Sequence, residues 1–367
     1  MQPESQVVYN KRVKIGLYDP YLDTFGGGEK YMFDIAAYVS HKHHVSFFWK
    51  PSDREIVLQQ AKKRFSVQLD NVSFTKDIFS VRSSLMEKYR ATKQFDAIIY
   101  LSDGSFPFLF SKKNILMFQQ PIDWVKPSLL TTLKLGKIHK VICNSHFTEN
   151  HIEKVFGARK TQVIYPCVSS VKNADIAKQH IILSVGRFTQ GTNVKKQEDM
   201  IEAFKKTSEK LKGWRLVLIG GTQTSDEAYF YKLQEQAKGY PITLLKNVDK
   251  EELVSYYNKA MLYWHAAGFG EDLASHAERA EHFGISTVEA MSTGCVPIVF
   301  AAGGQTEIVI NGVNGYTWHT LEELEAYTEK IAGDAGLLAQ LAEKAEERAK
   351  DFEQNIFENQ ISQLLSL

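Results

Sequence analysis

The stretch VKIGLYDPYLDTFGGGEKYMFDIAAYVSHKHHVSFFW, residues 13–49, predicts how the first half of the chain folds. Residues 13–18 are a short apolar run typical of a buried strand, and a glycine-rich turn follows at 23–31. A helical pattern then leads into a second strand-like run at 44–49. A strand, a glycine-rich loop, a helix and a second strand in this order are typical of a parallel α/β sheet.

The same alternation continues along the whole chain. Further strand-like runs in the first half lie at 95–102, 114–120, 140–145 and 161–168. Ser145 is predicted to cap a helix that begins at His146. A polar stretch at 169–179 is followed by runs at 180–186, 215–221, 242–248, 261–266 and 296–301, with helical patterns between them and one long helix predicted from Leu321. We therefore predict an α/β protein of two doubly wound, Rossmann-like domains that face a cleft, where such sheets bind ligands.

Length and composition support two folded domains. The 367 residues suit two domains of about 150–200 residues each. The chain is 44% hydrophobic and 24% charged, which excludes disordered and low-complexity classes. Its net charge is +1, so no strong overall field attracts nucleic acid. The polar start, the lack of a long apolar run and three scattered cysteines lead us to expect a cytoplasmic protein.

The stretch EHFGISTVEAMSTGCVP, residues 281–297, carries the most specific chemistry. Glu281 and Glu289 stand eight residues apart, on either side of a turn and the start of a helix. Backbone N–H groups from His282 to Thr287 would lie at the helix N-terminus and favour an anion. Glu289, one turn into the helix, could accept hydrogen bonds from two vicinal hydroxyls. Hydrogen-bond donors for a phosphate, beside an acceptor for a diol, are typical of a nucleotide-sugar site. The alternative is a capping box from Ser286 to Glu289, which would explain Glu289 alone.

Two cations precede this stretch in the same predicted domain. Arg187 directly follows the strand-like run at 180–186, and Lys195 follows across the loop 188–194. Together they could hold a diphosphate and neutralise the charge that builds on it as a glycosidic bond breaks. A solvated basic pair is the alternative. The loop Gly26-Gly27-Gly28 allows close approach of backbone or ligand, but it lacks the dinucleotide-binding spacing.

These motifs resemble retaining glycosyltransferase family 4, which has the GT-B fold. The resemblance rests on the stretches at 186–204, 219–221, 281–309 and 311–316, with FGGGEKY at 25–31 in the first half. The EHFGI version is similar to α-mannosyltransferases of glycan assembly. The resemblance implies an acceptor-binding domain at 1–172, a nucleotide-sugar-binding domain at 173–348, and a terminal helix at 349–367 that packs back on the first domain.

The resemblance also implies roles for single residues. Arg187 and Lys195 would clamp the donor diphosphate, and Glu289 would bind the ribose hydroxyls. Glu281 would hold the donor sugar hydroxyls together with the segment His282, Phe283, Gly284, Ile285 and Ser286, which also meets the adjacent phosphate. Val248 would lie against the base, and Gly27 and Gly28 would bring backbone amides to the phosphates or the acceptor. Because Arg187 and Lys195 supply positive charge, no metal or other cofactor is expected.

The chain departs from the family pattern in two places. Many relatives have His-Pro after the strand that ends at Phe118, where this chain has Gln119-Gln120-Pro121. Gln120 could bind a sugar hydroxyl, but it cannot act as an acid or base. An acidic insertion at 268–282 could form a lid over the donor; a metal cluster of Glu271, Asp272, His276, Glu278 and His282 is the alternative.

The predicted function is a retaining transfer of a hexose from a GDP- or UDP-linked sugar to a glycan, lipid-linked or small-molecule hydroxyl. GDP-mannose is preferred as the donor. Segments 83–93 and 127–140 could rest on the cytoplasmic face of a membrane or pack as amphipathic helices on their own sheet. The alternatives are a non-catalytic nucleotide-sugar-binding protein, a transferase of another family with the same architecture, and an NAD-dependent oxidoreductase.

Overall fold

The computed structural model describes residues 12–80, 82–126, 128–157, 161–191 and 194–366, and within them the chain forms two parallel sheets flanked by helices. This confirms the predicted α/β class with two Rossmann-like parts. Thr192 and Asn193 of the predicted loop, and Pro127 of the predicted surface segment, lie outside the described residues.

The first sheet has seven strands. Their bounds are β1 Lys14–Tyr18, β2 His44–Phe48, β3 Val72–Thr75, β4 Ala97–Leu101, β5 Lys113–Phe118, β6 Lys140–Cys143 and β7 Thr161–Val163. Their spatial order is β3-β2-β1-β4-β5-β6-β7, so the direction of winding reverses beside β1. Ile15 pairs in parallel with Val45 on one side and Ala97 on the other.

Five helices accompany this sheet: α1 Gly27–Ser40, α2 Arg54–Gln60, α3 Leu85–Lys93, α4 Leu129–Leu135 and α5 His146–Phe156. Helix α1 begins directly after Gly26, whose N–H donates to the Glu29 carboxylate at 2.5 Å. Helix α5 begins where the sequence predicts, because the Ser145 hydroxyl accepts a hydrogen bond from the backbone N–H of Thr148 at 3.1 Å.

The second sheet has six strands, and each neighbouring pair is parallel. The bounds are β8 Gln179–Val185, β9 Arg215–Gly220, β10 Ile242–Lys246, β11 Ala260–His265, β12 Val296–Phe300 and β13 Tyr316–Trp318. The order β10-β9-β8-β11-β12-β13 reverses between β8 and β11. Alternate side chains of β8 pack on opposite faces: Ile182 faces one buried cluster, and Ile181 and Leu183 face another.

Eight helices belong to the second half: α6 Gln197–Thr207, α7 Glu227–Ala237, α8 Lys250–Lys259, α9 Ile285–Ser292, α10 Gln305–Ile308, α11 Leu321–Ala332, α12 Ala335–Ala349 and α13 Gln354–Leu365. The long helix predicted from Leu321 is in fact two helices. The break falls at Gly333 and Asp334, whose carboxylate accepts a hydrogen bond from the backbone N–H of Leu337 at 2.9 Å and so caps α12. No described helix is long and apolar enough to cross a membrane.

The chain divides into two compact units. The first comprises the described residues within 1–117, 127–142 and 361–367, and the second those within 118–126 and 143–360. At the C-terminus, the Lys113 ammonium donates to the backbone carbonyl of Ser366 at 2.9 Å within the first unit. The predicted domain ranges 1–172, 173–348 and 349–367 stay a prediction.

Candidate active site

The predicted cationic and acidic residues of the second half gather at one edge of its sheet. Arg187 lies two residues after the end of β8, Asn247 directly follows β10, and His265 is the last residue of β11. Because the strands are parallel, their carboxyl ends share one edge, and β8 and β11 flank the point where the strand order reverses. Ligands of doubly wound sheets bind at this position.

A buried triad of Lys195, Glu281 and His265 forms the centre of this edge. The Lys195 ammonium lies 2.7 Å from Oε2 of Glu281, and Nε2 of His265 lies 2.9 Å from the same oxygen. The three side chains are 15%, 17% and 3% exposed, respectively. Both contacts are made to the same carboxylate oxygen of Glu281.

Burial and pairing set the charges of this triad. Burial by itself would raise the pKa of the Glu281 carboxyl, but Lys195 and the hydrogen bond from His265 hold that pKa well below its usual range. Burial lowers the pKa of His265, against the raising effect of Glu281. The imidazole is therefore neutral near pH 7, and its Nε2–H donates to the carboxylate. Its Nδ1 is buried and has no hydrogen-bond partner among the described residues.

Arg187 differs from Lys195 in its surroundings. It is exposed, and no described residue forms an ion pair with its guanidinium. Its backbone is held, because the Gln197 side chain donates to the Arg187 carbonyl at 3.0 Å. The neighbouring Gly186 lets the Lys195 side chain pass, since a Cβ at position 186 would lie 2.6 Å from Cγ of Lys195.

The turn before α9 is fixed by close backbone contacts. Gly303 and Gly304 pack against it so tightly that Cβ atoms there would lie 2.0 Å from the Glu281 carbonyl oxygen and 2.5 Å from that of His282. The Gly304 N–H also donates to the Glu281 carbonyl at 2.8 Å. Gly284 precedes the helix with φ of 119°, a conformation that side chains other than glycine rarely adopt. The first backbone amides of α9 have no partner four residues earlier, which suits an anion.

The predicted capping box from Ser286 to Glu289 is wrong. The residue before α9 is Gly284, and Ser286 already lies inside the helix. The Ser286 hydroxyl instead accepts a hydrogen bond from the Tyr263 hydroxyl at 2.8 Å, and Oε2 of Glu289 accepts one from the buried Tyr257 hydroxyl at 2.8 Å. Glu289 is thus oriented by Tyr257 of α8, and helix capping does not account for it.

The remaining predicted residues lie in three places. In the second unit, the His282 ring bonds the Glu278 carbonyl at 2.9 Å, Phe283 and Gly284 are buried, and Ile285 and Val248 are half-buried. Gly27 and Gly28 form the first turn of α1 in the first unit. Gln120 is half-buried just after β5, next to Gln119, whose carbonyl accepts a hydrogen bond from Asn144 at 2.8 Å.

The insertion at 268–282 is held by ion pairs. Glu271 lies 2.6 Å from the Lys196 ammonium and 2.8 Å from the Arg279 guanidinium. These cations lower the pKa of Glu271. Within the described ranges, no three metal-binding side chains come together. Glu271, one of the residues named for the metal cluster, is thus paired with two cations and anchors the segment to Lys196.

Sequence reasoning missed His265. A polar residue that ends the apolar run 261–266 was a usable signal, because the carboxyl end of a parallel strand is where side chains reach a ligand. Nothing local connects His265 with Glu281, 16 residues later in the chain and in contact with it only through the fold.

Comparisons with known proteins relate this chain to glycosyltransferases. Residues 169–350 match the family model described as Glycosyl transferases group 1. The GDP-Man:Man(3)GlcNAc(2)-PP-Dol alpha-1,2-mannosyltransferase of Dictyostelium discoideum is 23% identical, over 95% of this chain and 83% of the relative. The protein of that name from Caenorhabditis elegans is 21% identical, over 88% of this chain and 83% of its own length. The solved structure of Anabaena Alr3699/HepE in complex with UDP-glucose shares the fold, with a TM-score of 0.68 at 19% identity over 97% of this chain and 100% of that chain.

Fold and site together define a glycosyltransferase with the GT-B fold. Residues 169–350 match a group 1 glycosyltransferase domain, which is consistent with the predicted resemblance to family 4. The predictions of a glycosyltransferase and of a resemblance to mannosyltransferases of glycan assembly are confirmed.

Proposed function

We propose that this glycosyltransferase moves mannose from GDP-mannose to a lipid-linked glycan, with retention of anomeric configuration and without a metal. The observation that carries the proposal is the triad of Lys195, Glu281 and His265 beside the N-terminus of α9. The relatives from Dictyostelium discoideum and Caenorhabditis elegans, which are named as transferases from GDP-mannose to a dolichol-linked glycan, support the donor and the acceptor class. Because the Anabaena structure contains UDP-glucose, a UDP-linked donor is the alternative that the experiment must distinguish from GDP-mannose.

The site residues have complementary roles in this proposal. Arg187 and Lys195 bind the diphosphate, assisted by the first amides of α9 in the segment 283–286. Glu281 keeps Oε1 for a hydroxyl of the donor sugar, because its other oxygen is held by Lys195 and His265. Glu289 binds the ribose diol.

The other predicted residues complete the two substrates' surroundings. Val248 lies against the base and His282 supports the turn that binds the sugar. Gln120 contacts a sugar hydroxyl, and the amides of Gly27 and Gly28 bind a phosphate or the acceptor.

The reaction is driven mainly by electrostatics. The acceptor hydroxyl oxygen attacks the anomeric carbon as the bond from that carbon to the diphosphate oxygen breaks. The hydroxyl proton passes to the departing diphosphate on the same face of the sugar, which accounts for retention. Lys195 and Arg187 stabilise the charge that accumulates on the diphosphate, so the protein supplies the positive charge that a metal would otherwise provide.

Calorimetric titration with GDP, UDP, ADP and NAD(H) tests the donor. We expect GDP to bind most tightly, and Glu289→Gln to weaken that binding by about tenfold or more in a folded protein, since a carboxylate accepts hydrogen bonds more strongly than an amide. Glu251→Gln, an exposed change on α8, is the matched control and should bind as the parent does. Binding of NAD(H) alone would overturn the transferase proposal. Tighter binding of UDP than of GDP would make a UDP-linked sugar the donor in place of GDP-mannose.

A further inference from the structure

The first unit contains a cavity of about 490 Å³ that no residue discussed so far explains. It is formed by the end of β4, the loops after β3 and β4, and helices α3 and α4. Its aromatic lining comes from Phe79, Tyr100, Phe106 and Phe108, with hydroxyls from Ser83 and Ser105 beside them. Aromatic faces with a few hydroxyls are suited to the apolar face of a sugar ring or to an apolar chain.

Two lysines give this cavity its charge. Lys88 of α3 and Lys134 of α4 both line it, and neither forms an ion pair with a described residue. The Lys134 ammonium lies 5.2 Å from the centre of the Phe108 ring. Burial lowers the pKa of Lys134, and the like charge of Lys88 lowers it further. Two cations that repel each other in a partly buried cavity favour an anion between them.

Among the described residues no carboxylate lines the cavity, and the nearby carboxylates of Asp77, Glu87 and Asp103 accept hydrogen bonds from other groups. Asp77 accepts hydrogen bonds from the backbone N–H groups of Phe79 at 2.8 Å and Ser80 at 3.1 Å. Glu87 accepts one from the Ser84 N–H at 2.8 Å and faces Lys76 at 3.9 Å. The side chains that line the cavity therefore carry a net positive charge, from Lys88 and Lys134.

An apolar surface adjoins the cavity on the same two helices. Helix α4 buries none of its side chains, and α3 buries only Thr92. Five large apolar side chains on these helices are more than half exposed: Leu85, Met86, Leu129, Leu130 and Leu133. An exposed apolar strip beside a cationic cavity is complementary to a molecule with an apolar chain and an anionic end.

We propose that this cavity binds the phosphate-bearing end of a lipid-linked glycan acceptor, with the phosphate between Lys88 and Lys134 and the lipid chain along Leu129 and Leu133. The inference rests on the proposed transferase function and adds the place where the acceptor is held. Docking on a bilayer would need only the exposed leucines and lysines, whereas the aromatic-lined cavity fits a discrete molecule whose sugar packs on the half-buried Phe108.

Binding of farnesyl diphosphate to the whole protein tests the cavity, with farnesol and inorganic pyrophosphate as partial probes. We expect the double variant Lys88→Ala/Lys134→Ala to weaken farnesyl diphosphate binding by about tenfold or more, because two charge-assisted contacts are lost. The matched control is Lys93→Ala/Lys137→Ala, which removes two nearby lysines that do not line the cavity. Leu129→Gln/Leu133→Gln should weaken farnesyl diphosphate but leave pyrophosphate unchanged.

Equal losses in both lysine pairs, or no binding by the parent protein, would overturn the proposal. The proposal would also be wrong if the variants lost binding to vesicles of phosphatidylcholine and phosphatidylglycerol but still bound farnesyl diphosphate. That result would indicate docking on a bilayer alone. Every variant should bind GDP or UDP as the parent does, which shows that the second unit is folded. Failure of nucleotide binding in the parent would count against the proposed transfer reaction, while the farnesyl diphosphate result is read separately.

Discussion

Lys195 and Arg187 are both cations at the carboxyl edge of the second sheet, yet their surroundings differ. Lys195 is buried against Glu281 and held in place, whereas Arg187 is exposed and unpaired among the described residues. The preorganised lysine can stabilise charge with little rearrangement, and the arginine must be ordered by the donor. Both side chains can bind a diphosphate, but removing Lys195 and removing Arg187 should affect the protein differently.

Replacing either cation should slow the transfer reaction. We expect Lys195→Ala and Arg187→Ala each to lower turnover by roughly 10²–10³-fold, as a lost transition-state charge partner does. Lys195→Ala should also reduce stability, because it leaves Glu281 buried without its cation. Steady-state kinetics with GDP-mannose checks this, and Lys206→Ala, an exposed change on α6, is the control. If both variants kept nearly the turnover of the parent protein, the proposal that these residues clamp the diphosphate would be wrong.

The stability of the protein should depend on pH through His265. Burial lowers the folded-state pKa of His265 below its ordinary value near 6.5. Above that value neither state binds the proton, and below it the unfolded state binds more protons, so stability falls as pH falls. The slope for one proton is at most about 1.4 kcal/mol per pH unit. The Glu281 contribution has the same sign but is lost only below its own ordinary range near 4.3.

Urea unfolding between pH 7 and pH 5 measures this dependence. We expect His265→Gln to lose less stability over that interval than the parent, while the exposed control His319→Gln keeps the parental slope. His43 and His282 also have lowered pKa values because they are buried, but they are present in all three proteins and cancel in the comparison. An unchanged slope in His265→Gln would contradict the assignment of a buried neutral imidazole.

At the scale of the element, the entry into α9 is the decisive feature. Gly284 combines a left-handed backbone with close packing, since a Cβ there would lie 2.4 Å from the Gln305 side chain. The turn is held from outside by Gly303 and Gly304, so the amides of α9 have little freedom to adjust. A change at Gly284 should therefore disturb both the stability of the protein and the position of its anion-binding amides.

Gly284→Ala tests this element against Gly213→Ala. Gly213 also has a positive φ, of 82°, but a Cβ there would meet nothing within 4 Å. The control should cost about 1–2 kcal/mol from backbone strain alone, and Gly284→Ala should cost more and weaken nucleotide binding. Urea unfolding and calorimetry measure the two effects. Equal stability losses and intact nucleotide binding in both variants would show that the packing around α9 is not restrictive.

At the scale of the whole molecule, the last residues of the chain complete the first unit. Ile361 is fully buried, and residues 361–366 belong to the unit that contains β1 and β4. Ile361→Ala should destabilise the protein by about 2–5 kcal/mol, as other large-to-small core changes do. The exposed Gln363→Ala on the same helix is the control.

Hydrogen exchange can locate that loss of stability. We expect Ile361→Ala to reduce protection in β1 and β4 more than in β8 and β11, because the stability of a protein varies between its parts. The measurement is exchange followed by mass spectrometry of peptides from the two sheets. Equal loss of protection in both sheets would mean that the two units unfold together.

Most elements could be predicted from the sequence because their signals are local. Short apolar runs separated by helical patterns indicated the described strands of both sheets except β3 and β13, and Ser145 and His146 marked a helix start that the structure reproduces. The errors also have local causes. The single helix predicted from Leu321 ignored Gly333 and Asp334, and the capping box at Ser286 overlooked Gly284, which starts α9 two residues earlier.

The sequence by itself determined the α/β class, the two sheets and the positions of Arg187, Lys195, Glu281 and Glu289 along the chain. Hydrophobic period and glycine placement act over a few residues, so they can be read without the fold. Only the tertiary structure decided that Lys195 pairs with Glu281, 86 residues away, and that His265 joins them. Those contacts depend on the order of strands in the sheet, which brings together chain segments that no local pattern relates.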